Sequence, residues 1–420
     1  MPPDLTGAMI YRSSNGFGTS TITGVAVGVS NYPGSFDIKA FALEMVAIPQ
    51  ADQYYLGDGG IGTYYLSGPL YIPFKVTGTS IVMGNLSGQL NDGINNGVLN
   101  AGFPIGYGYF GNLYMMKHEV SQGAYRDFLN TLTYTQQTSR TLAAPNSVIG
   151  TEAIGIISSR NGIQIATSGS APSNPAVYGC NLNNNGVFNE ASDGEWIGCG
   201  FLTWMDLAAF LDWAALRPMT ELEFEKSCRG PNTAIYAENA AGTTQAAAYT
   251  YPIANGGTAN ESATYLGSVL LGNFTYFFTT GTGYPTRVGM HATPGANRVS
   301  SGAGYYGCLD LSGNIVEYTV TTANVAGRSF SGAEGDGTLT AVGEANVDYW
   351  PGMNGNTSVT IANLSVAFSS IGVTGAAGII ERGGGASSVG GNVLKVSYRV
   401  NPPGTSTRNL TSGGRGVKLM

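Results

Sequence analysis

The sequence predicts a globular protein rich in loops and tight turns, with short strands and only a few helices. Glycine supplies 63 of the 420 residues and hydrophobic residues make up 43%, so the chain has both flexible turn positions and material for a core. Charged residues make up only 11% beside abundant aromatic residues, which excludes an intrinsically disordered chain. No apolar run reaches the roughly 18 residues that a membrane-spanning helix needs, and glycine lacks the three-residue period of collagen.

The charge balance and the N-terminus narrow the class of protein further. The formal net charge is −7 and lysine and arginine form no cluster, so nucleic acid is not a predicted partner. The first residues, MPPDLTGAMIYRSS, lack the basic and apolar regions of a secretory signal. We therefore expect either synthesis in the cytosol or a chain that begins after processing.

The four cysteines leave the redox state open. Cys180 and Cys199 bracket a polar loop and could form a disulfide, but sequence does not fix the connectivity. Cys228 and Cys308 lie further along the chain. Free or buried thiols are the favoured interpretation.

Short β segments are predicted through the first 110 residues. Asn15-Gly16 separates two β-favouring runs within residues 8–30, which predicts a hairpin. A long extended run follows at Ser35–Pro49 and a shorter one at Tyr54–Gly60. Glycine turns separate further short strands up to residue 110.

Three helices are predicted, each with its own start signal. The first follows Ser121, whose hydroxyl can cap it. The second follows Thr203 and ends before Arg217-Pro218, because the residue before proline disfavours helix. The third opens with the capping box Thr220–Glu223 and ends at Gly230. The apolar stripes of the first two helices have the spacing i, i+3, i+4, i+7; they are Tyr125, Phe128, Leu129 and Leu132, then Leu207, Phe210, Leu211 and Ala214.

Several motifs, taken in chain order, resemble the formylglycine-generating-enzyme family, also called the sulfatase-modifying-factor family. They include a Met-Val-x-Ile-Pro strand, a Lys-x-Glu-Val segment leading into a helix, a Thr-Glu-x-Glu helix, a Gly-Asn loop, and closing Arg-Gly-Gly and Gly-Gly-Arg segments. Their ranges are Glu44–Gly59, Leu113–Asn130, Phe201–Gly230, Tyr305–Thr319, Glu381–Arg399 and Gly413–Met420. The resemblance implies an α+β fold related to C-type lectins over residues 43–420. Residues 1–42 then form a separate N-terminal β segment, which we expect to contact other subunits.

The family's catalytic residues are not matched. Its enzymes bind copper through two cysteines just after the Arg-Gly-Gly segment, whereas residues 383–398 contain no cysteine. A serine hydroxyl does not replace a thiolate as a soft-metal ligand. The two histidines, His118 and His291, lie far apart in sequence, and we expect His118 to be a structural strand residue. The sequence therefore predicts a catalytically degenerate member that is not an enzyme.

A structural calcium site is implied by the resemblance. The matching ligands are the side chains of Asp310 and Glu317 and the carbonyl oxygens of Gly313 and Ile315. Calcium accepts six to eight such oxygen ligands, including water. The alternative is that the two carboxylates cap turns and pair with arginine. The Asn-rich loop Cys180–Cys199 also has alternating oxygen-bearing side chains and a glycine, as in a weak EF-hand-like loop, but it lacks the closing glutamate.

The closing segment is the predicted ligand face. In relatives that include variable proteins of diversity-generating retroelements, the residues between Arg-Gly-Gly and the last Gly-x-Arg contact ligand. The matching residues are Ser387, Ser388, Asn392, Lys395, Tyr398, Asn401, Thr405 and Asn409. To these we add Trp350 of the aromatic loop Val347–Gly355, for which a core position is the alternative. The predicted function is a non-catalytic binding or structural protein with a protein or glycan ligand. We expect an oligomer on a cell surface, a virion or a phage-tail-like particle. The alternatives are a metal-dependent oxidoreductase of the same family and a secreted carbohydrate-binding module.

Overall fold

A computed structural model of the protein describes most of the chain from residue 41 onward. The described ranges are 41–49, 53–60, 72–77, 81–84, 86–91, 112–247, 252–263, 271–277, 283–353, 372–399 and 407–419. The predicted hairpin at Asn15-Gly16 and nearly all of the predicted N-terminal segment, residues 1–42, lie outside them.

The described residues have the α+β architecture that the sequence predicts, with short strands, few helices and long loops. The helices are α1 (Gln122–Leu129), α2 (Tyr134–Arg140), α3 (Trp204–Trp213), α4 (Glu221–Arg229), α5 (Arg298–Ser301) and α6 (Val325–Arg328), with 3-10 turns at Ile157–Ser159 and Gly391–Leu394. The strands are β1 (Met45–Ile48), β2 (Tyr54–Leu56), β3 (Phe74–Val76), β4 (Leu113–Met116), β5 (Ile163–Thr167), β6 (Val177–Cys180), β7 (Arg217–Pro218), β8 (Ile253–Ala254), β9 (Ser262–Ala263), β10 (Val316–Val320), β11 (Ile379–Arg382), β12 (Ser412–Gly413) and β13 (Gly416–Leu419).

The largest sheet joins distant parts of the chain. Its strand order is β1-β4-β13-β7, and all three pairs are antiparallel. The strand nearest the C-terminus, β13, therefore lies between β4 and β7. A second sheet has the order β11-β10-β12, with β10 antiparallel to β11 and parallel to β12. The closing segment is thus built into the centre of the fold.

The three predicted helices are confirmed with their caps. The Ser121 hydroxyl accepts a hydrogen bond from the Ala124 N–H at the start of α1. Thr203 and Thr220 each form a reciprocal capping box at the starts of α3 and α4, and Gly230 ends α4 with φ of 62°. Each cap satisfies N–H groups that have no partner inside the helix.

The predicted apolar stripes form much of the core. Aromatic rings of α1 and α3 pack together, with the Phe128 and Phe210 ring centroids 5.8 Å apart. Tyr125 and Leu129 are fully buried in the same cluster. A second cluster lies under the main sheet and includes Phe224 of α4.

The four cysteines are free and buried, in agreement with the favoured interpretation. Burial raises the pKa of Cys180 and Cys308 to about 12, and it also raises the pKa of Cys199 and Cys228. All four are therefore neutral thiols at neutral pH. Among the described helices, none is both long and apolar enough to cross a membrane.

His291 makes the fold sensitive to acid. The imidazole is buried beside the Thr275 hydroxyl, and burial lowers its pKa to about 3. Because the unfolded chain binds this proton near pH 6.5, the folded state loses stability as pH falls from about 6.5 towards 3. We expect His291→Gln to lose stability more slowly over that window, by about 1.4 kcal/mol per pH unit. Urea unfolding of both proteins from pH 7 to pH 4 measures this, and equal slopes would contradict it.

Candidate ligand-binding face

A buried charge network lies beneath the closing segment. Glu221 and Glu225 of α4 both bind Arg382 of β11, and Glu221 also accepts from Arg399 Nε at 2.8 Å. Burial alone would raise the pKa of Glu221, but the guanidinium groups of Arg399 and Arg382 hold it below its usual value. These bonds fix both ends of the segment between Arg382 and Arg399 to one helix.

The same network continues to the loop after α4. Arg229 binds Glu225 and Glu238 and donates to the Ser397 hydroxyl at 2.6 Å. The Glu238 carbonyl accepts from the Val396 N–H at 2.8 Å. Three carboxylates and three guanidinium groups are therefore joined, and the loop and the closing segment are held side by side.

A cleft of about 250 Å³ opens between these two segments. One wall is the loop after α4 and the other is the 3-10 turn with the residue that follows it. The lining residues are Ala237, Asn239, Thr244, Ala246, Gly391, Asn392, Leu394 and Lys395. The Lys395 Nζ lies 5.9 Å from the centre of the Tyr236 ring, and Tyr236 is 65% exposed. The cleft thus offers an ammonium group, amides and a hydroxyl, and the exposed Tyr236 ring lies beside it.

Two of the predicted ligand residues, Asn392 and Lys395, meet in this cleft. Ser387 is exposed and its hydroxyl lies 3.2 Å from that of Thr411. Ser388 and Tyr398 are half-buried, and the Ser388 hydroxyl accepts from the Gly385 N–H.

The remaining predicted ligand residues lie elsewhere. Asn409 is exposed, and its carbonyl accepts from Phe201. Asn401 and Thr405 lie outside the described residues. Trp350 requires a correction, because it is only 2% exposed, packs in the core and donates from its indole nitrogen to the Ala333 carbonyl. It is a core residue here and lines no surface.

The wall formed by the loop after α4 was not predicted from the sequence. Tyr236 and Ile235 are exposed there, and Asn239 and Thr244 line the cleft. The available signal was an aromatic residue between a helix-ending glycine and an alanine-rich stretch. The loop becomes part of a site only because it pairs with the closing segment. This pairing includes the β-bridge between Asn239 and Lys395.

The Gly-Asn loop is held by motif residues. The Glu119 carboxylate, from the Lys-x-Glu-Val segment, accepts from the Ile315 N–H at 2.8 Å and from Asn314 Nδ2 at 2.7 Å. The Asn314 Oδ1 accepts in turn from the Thr286 N–H. Burial, with the nearby charge of Asp310, raises the pKa of Glu119 well above its usual value.

The two carboxylates among the predicted calcium ligands have other partners in this arrangement. Both Glu317 carboxylate oxygens accept from Arg415 Nε at 3.0 Å, and Oε1 also accepts from Nη2 at 2.6 Å. Asp310 accepts from the Gly289 N–H, and the Gly313 N–H donates to the Gly383 carbonyl. The donor set does not fit calcium while Arg415 stays in place, because the ion would meet a guanidinium charge. Calcium at this loop remains a prediction.

No group of three or more histidine, cysteine, aspartate or glutamate side chains with a metal-binding arrangement occurs in the part of the chain that the structure describes. His118 lies beside Glu44 and His291 beside Thr275. Burial, with the positive charge of Lys117, lowers the pKa of His118 to about 3.

A comparison with protein families shows to which family the chain belongs. The sulfatase-modifying factor enzyme 1-like domain matches residues 81–348, which is more than half of the chain. The chain belongs to this family. The match includes the helices α1 to α4 and the Gly-Asn loop, while the closing segment with Arg382 and Arg415 follows it. The structure joins that segment to the sulfatase-modifying factor domain through Glu221, Glu225 and Glu317.

Solved structures of similar fold include three chains of low sequence identity. PvdO from Pseudomonas aeruginosa is 13% identical, with a TM-score of 0.38, over 90% of this chain and 95% of its own. Treponema denticola variable protein 1 is 12% identical, with a TM-score of 0.36, over 91% and 97%. CarF is 13% identical, with a TM-score of 0.34, over 90% and 99%. None of the curated protein sequences matches this member of the sulfatase-modifying factor family.

Proposed function

We propose that this protein is a non-catalytic binding or structural member of its family that presents a ligand face on a rigid scaffold. The observation that carries the proposal is the cleft between the loop after α4 and the closing segment. Its two walls are held by the buried charge network, so the site needs little reorganisation when a ligand binds.

The cleft chemistry favours a polar ligand with a negative charge. Lys395 supplies a positive charge, and the exposed Tyr236 ring supplies an apolar face of the kind that stacks on a sugar or packs against a side chain. Asn239, Asn392 and Thr244 add hydrogen-bonding groups. We propose an acidic sugar of a glycan or an acidic segment of a protein as the ligand.

The four cysteines support the non-catalytic part of the proposal. All are buried, and burial is the first cause of their raised pKa values. A thiol that stays protonated is a poor nucleophile and a poor ligand for copper. The closing segment, where the family's catalytic cysteines lie, has none.

Binding to glycan and peptide arrays tests the ligand face. We expect acidic glycans or acidic peptides to bind, and Lys395→Ala or Tyr236→Ala to weaken binding by about tenfold or more. Lys75→Ala is the matched control, since Lys75 is an exposed lysine of β3, and it should bind like the wild type. Equal binding by Lys395→Ala and Lys75→Ala would contradict the assignment of the cleft.

We also propose that the protein is an oligomer or a subunit of a surface, virion or phage-tail-like assembly. The low share of charged residues, 11%, supports the proposal that parts of the surface contact other subunits. Sedimentation of the purified chain measures its size, and a strict monomer at all concentrations would count against this part of the proposal.

Metal analysis separates the proposal from the rival oxidoreductase function. Purified protein should contain no stoichiometric copper or iron. Stoichiometric amounts of either metal, together with oxygen consumption, would overturn the non-catalytic proposal and favour the metal-dependent enzyme.

A further inference from the structure

The Asn-rich loop after β6 is held by hydrogen bonds between asparagine side chains and its own backbone. Asn181, Asn183 and Asn185 alternate along the chain, and Gly186 follows with φ of 83°. The Asn185 N–H donates to Asn181 Oδ1 at 3.1 Å and to Asn183 Oδ1 at 3.0 Å, and the Val187 N–H donates to Asn185 Oδ1 at 2.8 Å. These bonds hold the three side-chain oxygens against the backbone of the loop.

Two carboxylates close the loop. Glu190 Oε2 accepts from Asn185 Nδ2 at 2.6 Å and from Asn183 Nδ2 at 3.3 Å. Each asparagine Oδ1 that accepts a backbone N–H keeps a second lone pair with which it can bind a cation, and Glu190 would exchange its two amide donors for that cation. The second carboxylate is that of Asp193, whose Oδ2 accepts from the Glu190 N–H at 2.8 Å.

The other oxygen of Asp193 is the observation that points to a ligand. Asp193 is fully buried, and its Oδ1 has no hydrogen-bond partner, which is costly for a carboxylate. Burial, with the negative charge of Glu190, raises the pKa of Asp193, while the backbone N–H groups of Glu190 and Asn183 oppose this rise. Asn181, which begins the loop, is also buried, whereas Asn183 and Asn185 are exposed. The buried end of the loop thus has an unpaired oxygen and its outer end is open to solvent.

We propose that the loop Asn181–Asp193 binds a calcium ion, with Asp193 and Glu190 as its charged ligands and the three asparagine side chains as neutral ones. Asp193 is the last ligand of the loop, in place of the closing glutamate that the sequence lacks at the usual spacing. Oxygen ligands in a flexible loop suit calcium better than magnesium, which demands a regular octahedron. With two carboxylates, the dissociation constant should lie at about 10⁻⁴–10⁻³ M, as in extracellular calcium modules. Arg126 of α1 binds Asn189 and Glu195 and so fixes the loop to the domain.

Calcium titration of the full-length protein tests the proposal. After treatment with a chelator, the chain is titrated with calcium chloride by calorimetry in excess magnesium. Terbium luminescence gives a second readout, because the half-exposed Trp196 lies just beyond Asp193 in the chain. We expect one ion at this loop, with Asp193→Asn and Glu190→Gln each weakening its binding by about tenfold or more.

Matched variants separate this site from other sites. Glu44→Gln removes an exposed carboxylate on the edge of the domain and should bind calcium like the wild type. Asp310→Asn alters the other predicted calcium loop and should leave this affinity unchanged. If Asp193→Asn does not fold, Glu190→Gln, whose side chain is only half-buried, carries the test. No binding up to about 10 mM calcium, or full affinity in Glu190→Gln, would overturn the proposal.

Discussion

Glu221→Gln should destabilise the protein by about 3–5 kcal/mol. The buried carboxylate accepts from Arg382 and Arg399 and also from the Thr322 N–H at 2.7 Å. Glutamine keeps the size of the side chain but carries no charge, so two guanidinium groups would share the buried network with one carboxylate fewer. Breaking a buried pair costs more than the pair contributes, because the remaining charge stays desolvated.

The pH dependence of this loss follows from the pKa of Glu221. Because the folded state holds that pKa below its usual value, the carboxylate contributes stability above the unfolded pKa of about 4.3. The difference between wild type and variant should therefore shrink as pH falls below that value. Urea unfolding at pH 7 and at about pH 3 measures both effects.

The matched control for this variant is Glu44→Gln. Glu44 is well exposed and pairs with Lys117, which is partly exposed. A surface ion pair of this kind contributes about 0–1 kcal/mol. Similar losses in the two variants would show that the buried network is not what stabilises the closing segment.

Arg415→Met should also cost about 3–5 kcal/mol. Arg415 is fully buried, binds both oxygens of Glu317 and donates to the Leu309 carbonyl at 2.7 Å. It also lowers the pKa of Glu119 and of Asp310, which burial raises. Methionine fills the space of the arginine stem but leaves three buried carboxylates close together without their cation.

The destabilisation caused by Arg415→Met should also become smaller in acid, because the carboxylates left without Arg415 take up protons. Without Arg415, the pKa of Glu317 rises further above its usual value, because burial already raises it. A carboxyl group whose pKa is higher in the folded state destabilises the fold at neutral pH. This destabilisation decreases as pH falls towards about 4.3. Lys418→Met is the control, since its partner Glu334 is partly exposed. A deficit that stays constant from pH 7 to pH 5 would contradict this explanation.

Local signals in the sequence predicted three of the six helices in the described residues, and they missed α2 and the four-residue helices α5 and α6. Ser121, Thr203 and Thr220 mark their helix starts because a cap acts within a few residues of chain. Helix α2 was missed, although Thr133 and Gln136 form a capping box at its start. Its seven residues, YTQQTSR, contain no apolar stripe, so periodicity gave no signal for it.

The candidate site was predicted only in part. Asn392 and Lys395 belong to the closing segment that the family motif marks, and both line the cleft. Tyr236 and Asn239 precede them by more than 150 residues, and no local pattern connects the two. Trp350 was predicted to bind ligand, with a core position as the alternative, because an aromatic residue in a loop gives the same signal whether it is exposed or buried. Its burial depends on the chain segments that cover it.

The sequence by itself determined the family, the α+β class and the caps and apolar stripes of three helices, because those properties depend on residues that lie close together in the chain. The tertiary structure decided which charges of distant motifs pair. Glu221 meets Arg382 and Arg399, Glu317 meets Arg415, and Glu119 meets the Gly-Asn loop. Such pairs span long stretches of chain, and a buried charge accepts a partner only where packing brings one within bonding distance. The same long-range packing forms the cleft and leaves one oxygen of Asp193 without a partner.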